Sequence, residues 1–259
     1  MKIIIATHKD KCYFDNSIFR PIQVNCESAT YTIDKDYYQD DSGENISRKN
    51  QSFCELTALY WSWKNLREED ILGLNHYRRY FNFLNNSLFK PHRILEVNGN
   101  DPIIERHNSG AVKITERVKK WLNKNDVLLP YKRHIKVNKK YMSIADEYCK
   151  NHIESDWKTT MEIIVKKYPE YQESIDKYLN NSNEIYLMNV FVAKKQWVDS
   201  YCKWLFDILF EVEKNITISE DPYQRRVFGF ISERLLTLYV KHNESKVKEM
   251  QLLFINDKF

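Results

Sequence analysis

Two short apolar runs frame an amphipathic helix pattern, and both stop abruptly at polar residues. KIIIAT (2–7) gives way to His8-Lys9-Asp10-Lys11, and ILGL (71–74) gives way to Asn75-His76-Tyr77-Arg78-Arg79. Between them, in CELTALYWSWKNL, Leu56, Leu59, Tyr60 and Trp63 recur at i, i+3, i+4 and i+7, which makes one helix face apolar. A strand, a helix and a further buried strand in this order point to a crossover connection and parallel pairing. Strands of such a sheet are covered on both faces, so they read as continuous apolar runs rather than alternating ones.

The alternation continues along the chain. PIQV (21–24), DVLLP (126–130) and EIYLMNVFVAKK (184–195) read as strands, the second stopped by proline. Helices are expected over 114–124, in the segment after the basic run KRHIKVNKK, over DWKTTMEIIVKKYPEY up to Pro169, from Gln196 to about Glu213, and over about 222–240. Residues 34–50 and 85–112 read as loops, and Ser47 or Asn50 would cap the helix that follows. Trp61 and Trp63 read as core. The fold class is α/β, a mostly parallel central sheet flanked by helices, with a helical C-terminal third in a single domain.

Composition narrows the functional classes. A chain of 259 residues, 42% hydrophobic and 14% aromatic, can fill a sizeable core. A net charge of +4, with both signs mixed along the chain, falls short of the clustered cations of a dedicated nucleic-acid binder. Only 5 glycines, without GxGxxG or GxxxxGK, argue against a dinucleotide fold or a P-loop. The 5 cysteines lie far apart and form no CxxC, which argues against disulfides or zinc and fits a reducing compartment. No apolar run matches a membrane span or a signal-peptide core. A cytoplasmic protein is expected, with KRHIKVNKK offering peripheral contact with the inner face of the cell membrane.

Ligands of open α/β sheets bind where loops leave the carboxyl ends of strands. At one such end stand His76, Arg78 and Arg79. Two readings fit. The arginines either pair with carboxylates such as Glu55 or Asp70 and lock the fold, or they clamp a phosphate, with His76 as a further donor. No carboxylate pair is present at this strand end to hold a divalent ion. No metal cofactor is therefore expected, although Mg or Mn remains compatible with the sequence. HYRRYFNF also admits a third use, as an aromatic–basic platform for nucleic acid.

The stretch GENISRKNQSFCELTALYWSWKN, followed by DILGLNHYRRYF, resembles a family of bacterial polysaccharide-biosynthesis proteins classed as domain of unknown function 4422. The family includes capsular and O-antigen glycosyltransferases, some of them similar to galactofuranosyltransferases. The matching residues are Thr7-His8-Lys9, Gly43 to Asn50, Glu55 to Asn65, Gly73 to Tyr80, Val127 to Pro130, Met188-Asn189, Tyr201 to Phe210 and Gly229 to Leu236. The chain departs from the pattern at Asn25, where the family has glycine, and at Glu44, where aspartate is common.

The resemblance implies a GT-A-like fold in which residues of about 1–130 bind the nucleotide sugar and about 131–259 face the acceptor. It implies an inverting transfer from a UDP-sugar, with UDP-galactofuranose as one donor, to a lipid-linked capsular or O-antigen polysaccharide. Thr7, His8 and Lys9 would lie beside the nucleotide. Asn45 and Asn50 would bond to it or cap the next helix, and His76, Arg78 and Arg79 would stabilise the departing diphosphate. Glu55 is read as an arginine partner. Asn189 would meet the donor sugar, and Gln224, Arg225 and Arg226 the diphosphate or the acceptor. The base that deprotonates the acceptor hydroxyl would be Glu233 or Asp221. A non-catalytic scaffold within a polysaccharide assembly complex would keep the fold without the chemistry.

Overall fold

The computed structural model describes residues 1–85, 93–138 and 140–256. The chain opens with β1 (Lys2–Thr7), β2 (Phe19–Gln23) and β3 (Tyr38–Gln39), then a single turn α1 (Asn50–Phe53) and α2 (Leu56–Asn65). β4 (Ile71–His76) turns through Tyr77-Arg78 into β5 (Arg79–Phe81). Then come β6 (Ile94–Asn98), α3 (Pro102–Ser109), α4 (Ala111–Leu122) and β7 (Val127–Pro130). The short pieces β8 (Arg133–His134), β9 (Lys136–Val137) and β10 (Lys140–Tyr141) lead to α5 (Ile144–Asn151), α6 (Glu154–Lys167) and α7 (Gln172–Ile175). The last third holds β11 (Glu184–Ile185), β12 (Phe191–Lys194), α8 (Lys195–Asn215), α9 (Val227–His242), β13 (Val247–Met250) and β14 (Leu252–Asn256).

The main sheet runs in the order β13-β7-β12-β4-β1-β2-β3. Pairing is parallel except around β12, which runs antiparallel to both β4 and β7. At one side β5 joins β4 through a single bridge, His76 opposite Arg79, and β14 adds to β5 and β6. Successive residues of β1 serve opposite faces. Ile4 and Ala6 enter the larger core with α2, α6, α8 and α9, whereas Ile3 and Ile5 enter a second core with α3, α4 and β14. Helices thus cover both faces of the expected sheet. Where β4 and β12 touch, a Cβ on Gly73 would stand 2.7 Å from Val192 Cγ2 and 2.9 Å from the Phe191 carbonyl oxygen, so only glycine fits this crossing.

Five sequence readings are corrected. EIYLMNVFVAKK is not one strand: it breaks at Met188 (φ 78°) and Asn189 (φ 49°), two consecutive left-handed residues between β11 and β12. Neither Ser47 nor Asn50 caps α2. The Ser47 hydroxyl donates to Asp40 at 2.5 Å, and the Asn50 amide donates to the Cys54 carbonyl and to Thr57. The loop read over 85–112 contains β6 and α3, the latter begun by an Asp101 cap and Pro102, while 86–92 lie outside the described residues. Of KRHIKVNKK, Lys139 lies outside them too. Finally, β13 and β14 follow the last helix where no strand was read. The nucleic-acid platform fails on burial, because Tyr80, Phe81 and Phe83 are fully enclosed in the core.

Candidate functional site

β12 runs against its neighbours, so the residues that precede it reach the same sheet edge as the carboxyl ends of β1 and β4. A cleft of about 570 Å³ opens along that edge, lined by Ala6, His8, Val24, Asn50, Gln51, Cys54, Glu55, His76, Tyr77, Arg79, Pro222, Arg225 and Arg226. Asp40, after β3, is a fully buried carboxylate outside the cleft lining. Asp40 accepts from the backbone N–H groups of Asn25 and Cys26 and from the hydroxyls of Ser47 and Thr57. Asn25 adopts φ 66°, a left-handed conformation that asparagine or glycine tolerates.

The hairpin at His76-Tyr77-Arg78-Arg79 decides which arginine enters the cleft. Residues directly opposite in an antiparallel pair share a face. His76 and Arg79 are such a pair, and both line the cleft. Arg78 sits in the turn, over the Tyr77 ring, and lines a separate pocket with Lys9, Lys11 and Tyr13. Neither arginine is ion-paired with Glu55 or Asp70, as one reading of the sequence required. The nearest basic group to Glu55 is His76, with Nε2 4.0 Å from Oε1. Burial holds the His76 pKa down at about 3, helped by Arg79 and Arg226, so its imidazole is neutral. Its Nε2 is buried without a hydrogen-bond partner among the described residues.

Two buried carboxylates lie near these cations: Glu55 lines the cleft, whereas Glu233 stands behind it, outside the lining but within the electrostatic reach of Glu55 and Arg79. Cys54, at φ 52° and ψ −131°, breaks α1 from α2 and aims Glu55 into the cleft. Glu55 Oε1 accepts the Asn189 amide at 2.6 Å, and burial raises its pKa against the pull of Asn189, Arg226 and Arg79. Glu233, on α9, accepts the Met188 N–H at 2.8 Å and the Arg234 guanidinium at 3.2 Å. Burial pushes its pKa up to about 7, Glu55 adds to the rise, and Arg234 opposes it. The two left-handed residues therefore present one donor to each acid. Asn189 also donates to Ser232 and the Gly229 carbonyl, which leaves only its buried Oδ1 unpartnered among the described residues.

The remaining sequence-derived candidates are placed as follows. His8 stands at the cleft mouth against Tyr77, its pKa lowered by desolvation and by Lys9, Arg78 and Arg226. Thr7 is buried, its hydroxyl bonded to the Lys9 backbone, and Lys9 faces the Arg78 pocket. Asn50 reaches the cleft. Asn45 does not: it closes its own loop through the Asp41 and Gly43 carbonyls and the Ser47 N–H. Asp221 is exposed and caps the turn at 224–226 through the Tyr223 and Gln224 N–H groups, away from the cleft lining. Gln224 ties that turn to Asn151 and His152, while Arg225 is braced by Gln51 and the Glu220 carbonyl. Arg226 lies against Cys54 Sγ at 3.5 Å. Sequence reasoning missed Gln51, Cys54 and Tyr77. Only Tyr77 carried a signal, by sitting inside HYRR. Among the described residues no group of three or more His, Cys, Asp or Glu side chains is arranged to hold a metal ion.

A family profile described as "Domain of unknown function (DUF4422)" matches residues 2–244. The chain belongs to this family. Its fold is similar to the apo structure of WbbM, described as a bifunctional glycosyltransferase, at a TM-score of 0.87 and 30% sequence identity. That match covers 100% of this chain and 46% of WbbM, so the DUF4422 chain spans less than half of the solved protein's length. Comparison with curated proteins gave no match. No described helix of the chain is long and apolar enough to cross a membrane.

Proposed function

We propose that this chain is a glycosyltransferase that moves a sugar from a nucleotide-activated donor, a UDP-sugar, to a glycan acceptor. The observation that carries the reading is the convergence of Arg79, Arg225 and Arg226 with neutral His76 and Glu55 in one cleft, at the sheet edge where α/β folds bind ligands, with Glu233 buried close behind Glu55. The likeness to a glycosyltransferase over the whole of this chain supports it. Guanidinium groups keep their charge and offer forked donors, so three of them can hold a diphosphate before and after its bond to the sugar breaks. In this reading the charge that a metal would neutralise falls to the arginines.

Glu233 is the base. An acid with a pKa near the working pH takes up a proton most usefully, and desolvation places Glu233 there. As the acceptor oxygen attacks the anomeric carbon, its proton passes to the Glu233 carboxylate and the bond to the diphosphate breaks, which inverts the anomeric centre. The finer identity proposed here is a UDP-galactofuranose donor and a lipid-linked capsular or O-antigen acceptor, met in the cytoplasm at the membrane face. A scaffold without chemistry gives no reason to set a buried acid among three arginines in one cleft.

Thermal denaturation with UDP, GDP, CMP and their sugar conjugates, with and without EDTA, tests the reading. A ligand that binds only the folded state raises the melting temperature. Stabilisation by UDP that survives EDTA is expected, and no shift with any nucleotide would sink the proposal. Consumption of UDP-galactofuranose against UDP-galactopyranose, followed by NMR, then tests the donor sugar.

A further inference from the structure

Beyond Pro222, at the edge of the cleft, lies an aromatic surface outside the cleft lining. Tyr223, next in the chain, is 53% exposed, although a tyrosine gains by burial. It is fixed rather than free. Its ring packs on Phe230 at 5.0 Å between centroids and on His152 at 5.8 Å, and His152 stacks on Phe230 at 4.1 Å. Behind them Tyr148 contacts His152 at 4.8 Å and Trp157 at 4.7 Å, which roots the stack in the core. The backbone under Tyr223 is held by the Asp221 cap, and Gln224 bonds to His152 and Asn151 across to α5.

The stack is uncharged at neutral pH. Burial and the Arg234 charge lower the His152 pKa, which favours the neutral ring, with Nδ1 turned to Gln224 and its faces packed on Phe230 and Tyr223. Cations and acids stand at its rim: Arg226 lies over the Phe230 ring at 5.3 Å, and Arg234, bonded to Glu147 and Glu233, lies over Tyr148. Phe230 and Glu233 are three residues apart on α9 and so share a helix face. A flat apolar face ringed by charged hydrogen-bonding groups suits a ligand with one apolar face and polar edges. A sugar ring has that form: its C–H bonds crowd one face and its hydroxyls point outward.

We propose that Tyr223, backed by His152 and Phe230, is the platform on which a neutral hexose ring of the acceptor stacks, beside the cleft and on the side of Glu233. This deepens the glycosyl-transfer reading and rests on it. The platform adjoins the cleft edge at Pro222, Arg225 and Arg226, so a ring seated there lies next to the cleft.

Saturation-transfer NMR with methyl galactopyranoside, methyl glucopyranoside and methyl mannopyranoside as probes tests the platform, in parallel with the UDP melting shift. Irradiation of the protein's aromatic protons is expected to saturate the ring C–H protons of at least one glycoside. The signal should persist in Tyr223→Phe and vanish in Tyr223→Ala, while Tyr223→Ala keeps the UDP shift. Absence of transfer to all three glycosides, or equal transfer in Tyr223→Ala, would overturn the proposal. So would transfer through Tyr223 to the uracil protons of UDP, since the stack would then be a base site. The two readings fail separately: a glycoside signal that depends on Tyr223 without any nucleotide shift removes the donor reading and leaves the platform.

Discussion

Asn189 donates its side-chain amide to Glu55 across 2.6 Å, joining residues 134 apart in the chain. The bond exists because Asn189 takes a left-handed backbone (φ 49°) just before β12, which turns its side chain under α2. The same left-handed pair turns the Met188 N–H to Glu233. One irregular dipeptide thus sets the hydrogen bonding of both Glu55, which lines the cleft, and Glu233 behind it. Asparagine suits the position because it tolerates positive φ and brings an amide donor.

Replacing that donor should therefore hurt in a charge-dependent way. Asn189→Ala removes bonds to Glu55, Ser232 and Gly229 and is expected to lower stability by about 1–3 kcal/mol, the usual penalty of unpaired buried polar groups. Asn189→Asp places a second acid against Glu55 and should be worse at pH 8 than at pH 5, where one of the two can hold a proton. Urea unfolding at both pH values checks this. Equal losses for Asn189→Asp at the two pH values would show that Glu55 carries no charge there.

The hairpin geometry separates the adjacent arginines. Arg79 faces the cleft opposite His76, and Arg78 faces the neighbouring pocket. Arg79→Ala should weaken UDP binding about 10- to 100-fold, as expected for losing a charge-assisted contact of about 1.5–3 kcal/mol. Arg78→Ala should weaken it less. Calorimetric titration of both variants with UDP gives the comparison, and an equal or reversed ranking would place the diphosphate on the other side of the Tyr77 ridge.

What was legible in the sequence follows the length of each periodic signal. β1, β4 and α2 were readable because burial on both sheet faces, or on one helix face, leaves a continuous apolar record. The break at Met188-Asn189 was not, because both neighbours of the kink are apolar and the kink is held by partners 134 and 45 residues away. Which arginine enters the cleft was likewise hidden, since a two-residue hairpin leaves no mark without an Asn-Gly pair. Glu233 stands inside a family motif, whereas the residues around Glu55 suggest only an arginine partner. Its true neighbour, an amide from β12's approach, has no sequence-local trace.

Asp221 provides a contrast to Glu233. Its carboxylate caps a surface turn through two backbone N–H groups. Asp221→Ala should cost about 0.5–2 kcal/mol of stability, the range for a lost cap, and leave the turnover of bound donor within a small factor. Asp221→Asn keeps an acceptor oxygen and should restore the stability. A turnover that collapses in Asp221→Asn, with the fold intact, would move the base from Glu233 to Asp221.

In the proposed transfer, Glu233 would link stability and activity through its proton. Its pKa rises from 4.5 in the unfolded chain to about 7 in the fold, so between these values the native state binds more proton than the unfolded state. Stability from this group is therefore greatest below pH 4.5 and falls as pH climbs through 7. The loss is at most about 3 kcal/mol, and less because 22% of the side chain is exposed. Glu233→Gln removes the charge and should melt higher than the native protein at pH 8 but not at pH 4.5, while sugar transfer is lost at every pH. The native transfer rate should rise with pH through about 7 as the carboxylate forms. Melting curves of both proteins from pH 4.5 to 8, beside a pH–rate profile, test the link. A Glu233→Gln variant that keeps transfer, or that melts lower at pH 8 than at pH 4.5 relative to the native protein, would remove Glu233 from the role of base.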